Sequence, residues 1–136
     1  MNTSIDNAIK LLKKTPLKLT NQRLELLKIL FENGDSHHTA EDVFKKVEKN
    51  SLKISLATIY NTLNSFENHG LLRAIKTSSD KIFFDTNTTH HHHFYCKDTE
   101  ELIDITSSKI KISKLPDLPE GKKISSVNVV VNIDNK

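Results

Sequence analysis

Residues 90–93 read His-His-His-His, in a chain of 136 residues that holds seven histidines in all. In an extended segment alternate side chains share a face, so His91 and His93 turn one way and His90 and His92 the other. An imidazole pair at that spacing supplies two adjacent ligands to Zn2+, Fe2+, Mn2+ or Ni2+, and the same run offers axial ligands to haem. The plainer alternative is a polar low-complexity run in a linker. Two further ligand sources lie upstream: His37 and His38, expected in a loop before a helix, and Asp85, five residues before the run. One imidazole from the N-terminal part, the Asp85 carboxylate, His91 and His93 make a four-ligand set. Such a set would bridge two halves of the chain, and its occupation would set their relative angle. The ordinary alternatives are a solvated loop for His37 and His38 and a turn residue for Asp85. The single cysteine, Cys96, excludes an internal disulfide and any zinc site built from paired cysteines of one chain. In a Phe-Tyr-Cys strand it reads as buried and inert.

These groups need elements to hold them. Ile5, Ala8, Ile9 and Leu12 recur at helical spacing, and Pro16 stops that helix. A second helix starts at the N-cap Thr20, with Leu24, Leu27, Leu30 and Phe31 as its apolar face, and ends at Asn33-Gly34. Thr39 with Asp42 resembles a capping box opening a third helix on Ala40, Val43, Phe44 and Val47. A fourth runs from the N-cap Ser55 to Gly70, with His69 complementing its C-terminal dipole. Its Leu56, Ile59, Leu63 and Phe66 must pack inward, beside Ala57, Tyr60, Asn61 and Asn64, with Thr58 and Ser65 further round. A short, polar, uncharged face with one aromatic suits a helix entering a DNA groove, where amides and hydroxyls reach base edges and a tyrosine ring touches a thymine methyl.

After Gly70 the period changes. Residues 71–75 and 81–84 read as two strands around the turn Thr77–Asp80. Helices, recognition helix and hairpin make a winged helix-turn-helix. Two more strands, 93–96 and 101–105, flank the turn Lys97–Glu100. Residues 106–114 are expected as a short helix, and 124–133 as a strand. The expected fold is therefore α+β: a winged-helix DNA-binding domain over 1–84, a hinge over 85–89, and a small α/β domain over 90–136 for dimerisation and metal or haem sensing. A small sheet domain buries little core alone, so its apolar strands suit a symmetric dimer that sets two recognition helices on a pseudo-palindromic site.

Charge divides the same way. Residues 1–84 carry 13 Lys and Arg against 9 Asp and Glu, while 85–136 carry 7 against 8, so the positive excess lies where an anionic partner would bind. No apolar run is long enough to span a membrane, and the first 30 residues are too charged for a signal peptide, which predicts a cytoplasmic protein with no membrane partner.

LKLTNQRLELLKIL, HHTAEDVFKKV, SLATIYNTLNSFENHGLL and FFDTNTTHHHHFYC together resemble the ferric uptake regulator family over nearly the whole chain. The tail, with ELIDI and PEGKKISSVNVVV, is most similar to that family's iron response regulator branch. The resemblance implies a dimeric, metal- or haem-responsive transcription factor. The DNA-contacting set it points to is Lys18, Thr20, Arg23, Ser55, Thr58, Tyr60 and Asn61; by position Tyr60 and Asn61 touch bases, and Thr20 and Arg23 lie near phosphates. His37, Asp85, His91 and His93 fall on the family's regulatory metal positions, and spacing to Ala40-Glu41 favours His37 over His38. His91, His92 and His93 are the candidate haem ligands. The family's paired cysteines are missing: Thr99 stands where the partner of Cys96 belongs, so no structural zinc held by four cysteines is expected.

The reading that results is a dimeric DNA-binding regulator of iron homeostasis that senses haem or a divalent ion, Fe2+ or Mn2+ foremost, through its histidines. A second reading is a repressor of the ferric uptake regulator type activated by Fe2+, Mn2+ or Zn2+. A metal-storage module would not need the recognition helix. A metallohydrolase built on HxHxDH would need Asp at 95, where Tyr95 stands.

Overall fold

The computed structural model describes residues 3–136, which divide into two compact units, one ending at Thr88 and one beginning at Thr89. The first is a winged helix. Helix α1 (Thr3–Lys13) buries Ala8 and Leu12, and its last turn is closed by the Thr15 hydroxyl donating to the Leu12 carbonyl at 2.6 Å. Helix α2 (Asn21–Phe31) is capped by Thr20, whose Oγ1 accepts from the Arg23 N–H at 3.2 Å. Its buried face is broader than the sequence suggests. Leu26 and Ile29 are buried with Leu27, Leu30 and Phe31, while Leu24 is only partly covered, because the helix is wrapped from more than one side.

Helix α3 (Ala40–Lys49) opens with the expected capping box. The Asp42 N–H donates to Thr39 Oγ1 at 3.1 Å, and the Thr39 N–H to Asp42 Oδ2 at 3.0 Å. Helix α4 (Leu56–Asn68) is capped by Ser55, which accepts from the Thr58 N–H at 3.1 Å. Ile59, Leu63 and Phe66 are fully buried. Thr62 joins them, because its hydroxyl is satisfied by donating to the Thr58 carbonyl at 2.8 Å. The helix ends in a Schellman motif: the Leu71 N–H reaches the Phe66 carbonyl at 2.9 Å and the Gly70 N–H the Glu67 carbonyl at 3.1 Å. Gly70 carries the left-handed φ of 82° that this exit demands.

The wing has three strands rather than two. His37–His38, expected as loop, form β1, which pairs antiparallel with β3 (Ile82–Asp85); β2 (Arg73–Lys76) lies on the other side of β3. Two residues before a helix carry no alternation signal of their own; the free edge of β3 recruits them.

In the second unit β4 (His91–Cys96) is central, antiparallel to β5 (Glu101–Thr106) and parallel to β6 (Val130–Ile133). Two expectations change here. The helix expected over 106–114 shrinks to a three-residue 3-10 turn, Ser107–Lys109, since the following Ile-Lys-Ile stretch has no helical stripe and Pro116 follows closely. The strand expected over 124–133 is paired only from Val130, because among the described residues nothing pairs with 124–129 as a ladder neighbour. The buried apolar set of this unit is small: Tyr95, Cys96, Leu102 and Ile105. No described helix is long and apolar enough to cross a membrane.

Thr39→Ala removes the donor-paired hydroxyl of the capping box. It should lower unfolding stability by about 1 kcal/mol, measured by urea denaturation of the metal-free protein, while the same change at Ser125, exposed and outside any helix or strand, should cost less.

Candidate functional site

Strand β4 does what its period demands. His91 and His93 lie on one face with ring centroids 4.6 Å apart, and His90 and His92 on the other at 4.9 Å. His92 is given over to the sheet: its Nδ1 accepts the Val129 N–H at 3.2 Å. His91 is oriented by the backbone, its Nδ1 lying 2.6 Å from the Thr89 carbonyl. That contact assigns a ring proton to Nδ1 and turns Nε2 toward the neighbouring strand, the usual orientation of a metal-ligating histidine.

The face that carries His91 and His93 also carries a residue sequence reasoning missed. The register sets His93 opposite Asp104 of β5. Asp104 Oδ1 stands 3.5 Å from His91 Nε2 and 3.3 Å from His93 Nε2, and one ligand atom from each of the three lies within 4.8 Å of the others. The imidazoles are buried, with 6% and 1% of their surface exposed, while Asp104 opens to solvent. A signal for Asp104 existed. The four-residue turn Lys97–Glu100 makes Cys96 face Glu101, and counting back from that pair gives His93 opposite Asp104. Two imidazoles and a carboxylate converging in this way fit a borderline divalent cation such as Fe2+, Mn2+ or Zn2+.

In the winged-helix unit the same kind of pairing joins the two upstream candidates. His37 faces Asp85 across β1 and β3. Asp85 is buried, and its Oδ1 accepts the Asn87 N–H at 2.9 Å; the half-buried His37 ring meets Phe83 edge-on at 6.3 Å. His38 faces Phe84 instead. Its Nε2 hydrogen-bonds the Ser36 hydroxyl at 2.8 Å, and burial, aided by the Lys46 charge, holds its pKa below the usual histidine range. Of the two neighbours, His37 is the one beside a carboxylate. Cys96 ends β4, buried, with Sγ 3.8 Å from Asn135 Oδ1; hydrogen bonding with Thr99 holds its thiol below the usual range.

The candidate DNA-contacting residues are spread over α2 and α4. Lys18 and Thr20 are exposed, and Arg23 Nη1 donates to the Lys18 carbonyl at 2.6 Å, which ties the guanidinium to the segment before the helix. Ser55 and Thr58 build the α4 cap, joined by a hydroxyl hydrogen bond of 2.9 Å. Ala57, Asn61, Asn64 and Asn68 are exposed. Tyr60 is half-buried against the core, and its hydroxyl donates to Glu41 Oε1 at 2.9 Å. Burial, with that carboxylate beside it, pushes the Tyr60 phenol above its usual pKa.

A winged helix with an uncharged outer face on α4, followed by a sheet unit carrying a histidine–carboxylate cluster, has the parts of a ligand-responsive DNA-binding regulator. Comparison with known proteins gives that class a family. The Ferric uptake regulator family profile matches residues 14–132. The Ferric uptake regulation protein of Haemophilus influenzae is 36% identical over 104 residues, covering 76% of this chain and 71% of that one. Among solved structures, the ferric uptake regulator from Pseudomonas aeruginosa with manganese matches at TM-score 0.72 and 26% identity, over 95% of this chain and 98% of that one. The Vibrio cholerae ferric uptake regulator matches at TM-score 0.73 and 25% identity, over 93% and 98%. The chain belongs to the ferric uptake regulator family of metal-responsive DNA-binding regulators.

Asp104→Ala should weaken binding of Mn2+ or Zn2+ by more than about tenfold, the scale on which metal sites respond to loss of a supporting group. Competition against a chelating dye measures it, and unchanged affinity would remove Asp104 from the ligand set.

Proposed function

We propose that this protein is a dimeric transcriptional regulator whose DNA binding is promoted by a divalent cation held at His91, His93 and Asp104. The observation that carries the reading is the convergence of two buried imidazoles and one carboxylate within 4.8 Å, in a chain whose other unit is a winged helix. The bound ion supplies localised positive charge and fixed ligand directions.

The protein's own residues do the rest. The Thr89 carbonyl and the β4–β5 register hold His91 and His93 aimed at one point before any ion arrives. His37 and Asp85 form a second donor pair on the wing. An ion held by His91, His93 and Asp104 takes up conformational freedom of the sheet unit before DNA arrives, so less is lost when DNA binds. Dimerisation is supported by the apolar surface of the second unit: Ile103, Ile112, Leu115, Leu118 and Val131 are exposed. A half-open hollow of about 520 Å³ there is lined largely by Phe94, Ile105, Ile110 and Val131. A second copy would cover such a surface and place two α4 helices on a pseudo-palindromic duplex.

The competing ligand for the same histidines is haem, as in the iron response regulator branch. The geometry favours the bare ion. Both Nε2 atoms close on a single carboxylate oxygen at 3.3–3.5 Å, and a porphyrin needs an open slot above its axial ligand.

Fluorescence anisotropy on a duplex selected from a random pool separates the two. Mn2+, Fe2+ or Zn2+ should raise affinity at least about tenfold, within the usual range of coupling free energies, and His91→Ala with His93→Ala should abolish the response. A DNA response to haem accompanied by a shifted Soret band, with none to the ions, would overturn the bare-ion reading.

A further inference from the structure

Helices α3 and α4 are tied by one hydrogen bond between side chains 19 residues apart, the Tyr60 hydroxyl on Glu41 Oε1 at 2.9 Å. The other carboxylate oxygen, Glu41 Oε2, is buried and makes no hydrogen bond. A buried acceptor without a partner is costly, so a carboxylate kept in this position needs a compensating role. Placement at the second residue of α3, near that helix's positive end, offsets part of the cost. Tyr60 is the one aromatic of α4 outside the fully buried set, Phe66 being sealed in the core.

We propose that Glu41 is a positioning residue for sequence reading: it captures the Tyr60 hydroxyl so that α4 presents the tyrosine ring, not the hydroxyl, to a duplex. The inference rests on α4 being the recognition helix of the proposed regulator. A phenol already donating to a carboxylate has no proton to offer a base edge. Its ring carbons remain available for apolar contact, and a thymine methyl is the major-groove group they fit. The ring is held at both ends, by its backbone on α4 and by Glu41 on α3, so little side-chain freedom is lost on binding. Glu41 shapes specificity through Tyr60 without touching DNA.

The test uses the full chain with Mn2+ and a duplex selected from a random pool, and reads the ratio of affinities for selected and scrambled DNA. Glu41→Ala should lower that ratio about tenfold, the size of a hydrogen bond to a charged group. Glu41→Gln keeps an acceptor for the phenol and should restore most of it, although it removes the charge that a mere helix-dipole role would need. Tyr60→Phe should also cost about tenfold in the wild type but nearly nothing in the Glu41→Ala background, because the two changes break the same bond. Replacing contacted thymines by deoxyuridine should weaken the wild type more than Glu41→Ala.

If Glu41→Gln is as damaging as Glu41→Ala, or Tyr60→Phe costs the same in both backgrounds, the inference is overturned, since the hydroxyl then acts on DNA directly or Glu41 acts only on α3. Should Glu41→Ala fail to fold, as its melting curve would show, Glu41→Gln and Tyr60→Phe decide alone. A full loss on Glu41→Gln, or none on Tyr60→Phe, overturns it. A wild type that selects no DNA removes the regulator reading itself, and this inference with it. Selection by the wild type with an uncoupled pair removes the inference only.

Discussion

One register decides the chemistry of this protein. The pairing of β4 with β5 sets His93 opposite Asp104. Because side chains alternate with a period of two, a slip of one residue would turn His91 and His93 to the other face and bring His90 and His92 in their place. Those two could not take over, since His92 Nδ1 already accepts the Val129 N–H from the segment entering β6. The sheet therefore uses the same four-histidine run twice: once as a face of imidazoles converging on Asp104, and once as a face that holds the third strand. The turn Lys97–Glu100, with Glu100 at a positive φ of 58°, is what holds the register.

The winged-helix unit is built differently, from local signals that agree with one another. The capping box at Thr39 and Asp42, the Ser55 cap and the Gly70 exit are all chemistry of a few neighbouring residues, so they are legible in the sequence. What the sequence does not carry is pairing between distant segments. His37 and His38 become a strand only because β3 offers an edge, and that same edge is what sets His37, rather than His38, beside Asp85. The broad buried face of α2, with Leu26 and Ile29, likewise depends on neighbours that its own periodicity cannot report.

Legibility is poorest in the second unit, for a related reason. Residues 124–128 include the β-branched Ile124 and Val127, yet only the chain from Val129 onward bonds to β4. Propensity marks which residues suit a strand, not which of them find a partner. Asp104 escapes notice in the same way: within ELIDI it reads as the polar member of an alternating strand, and only the register turns it toward two imidazoles. The cysteine count tells the complementary story. With Cys96 alone and buried, no sulfur-rich zinc site can brace this sheet within one chain, and a largely apolar hollow lined by Phe94, Ile105 and Val131 stays open on it.

The central claim is that an ion sits among imidazoles and carboxylates rather than at the lone thiol, and X-ray absorption at the zinc edge of stoichiometrically loaded protein tests it most directly. The account predicts a first shell of nitrogen and oxygen only, at about 2.0–2.1 Å, with the outer-shell scattering of at least two imidazoles. A sulfur shell near about 2.3 Å, or the absence of imidazole scattering, would contradict it.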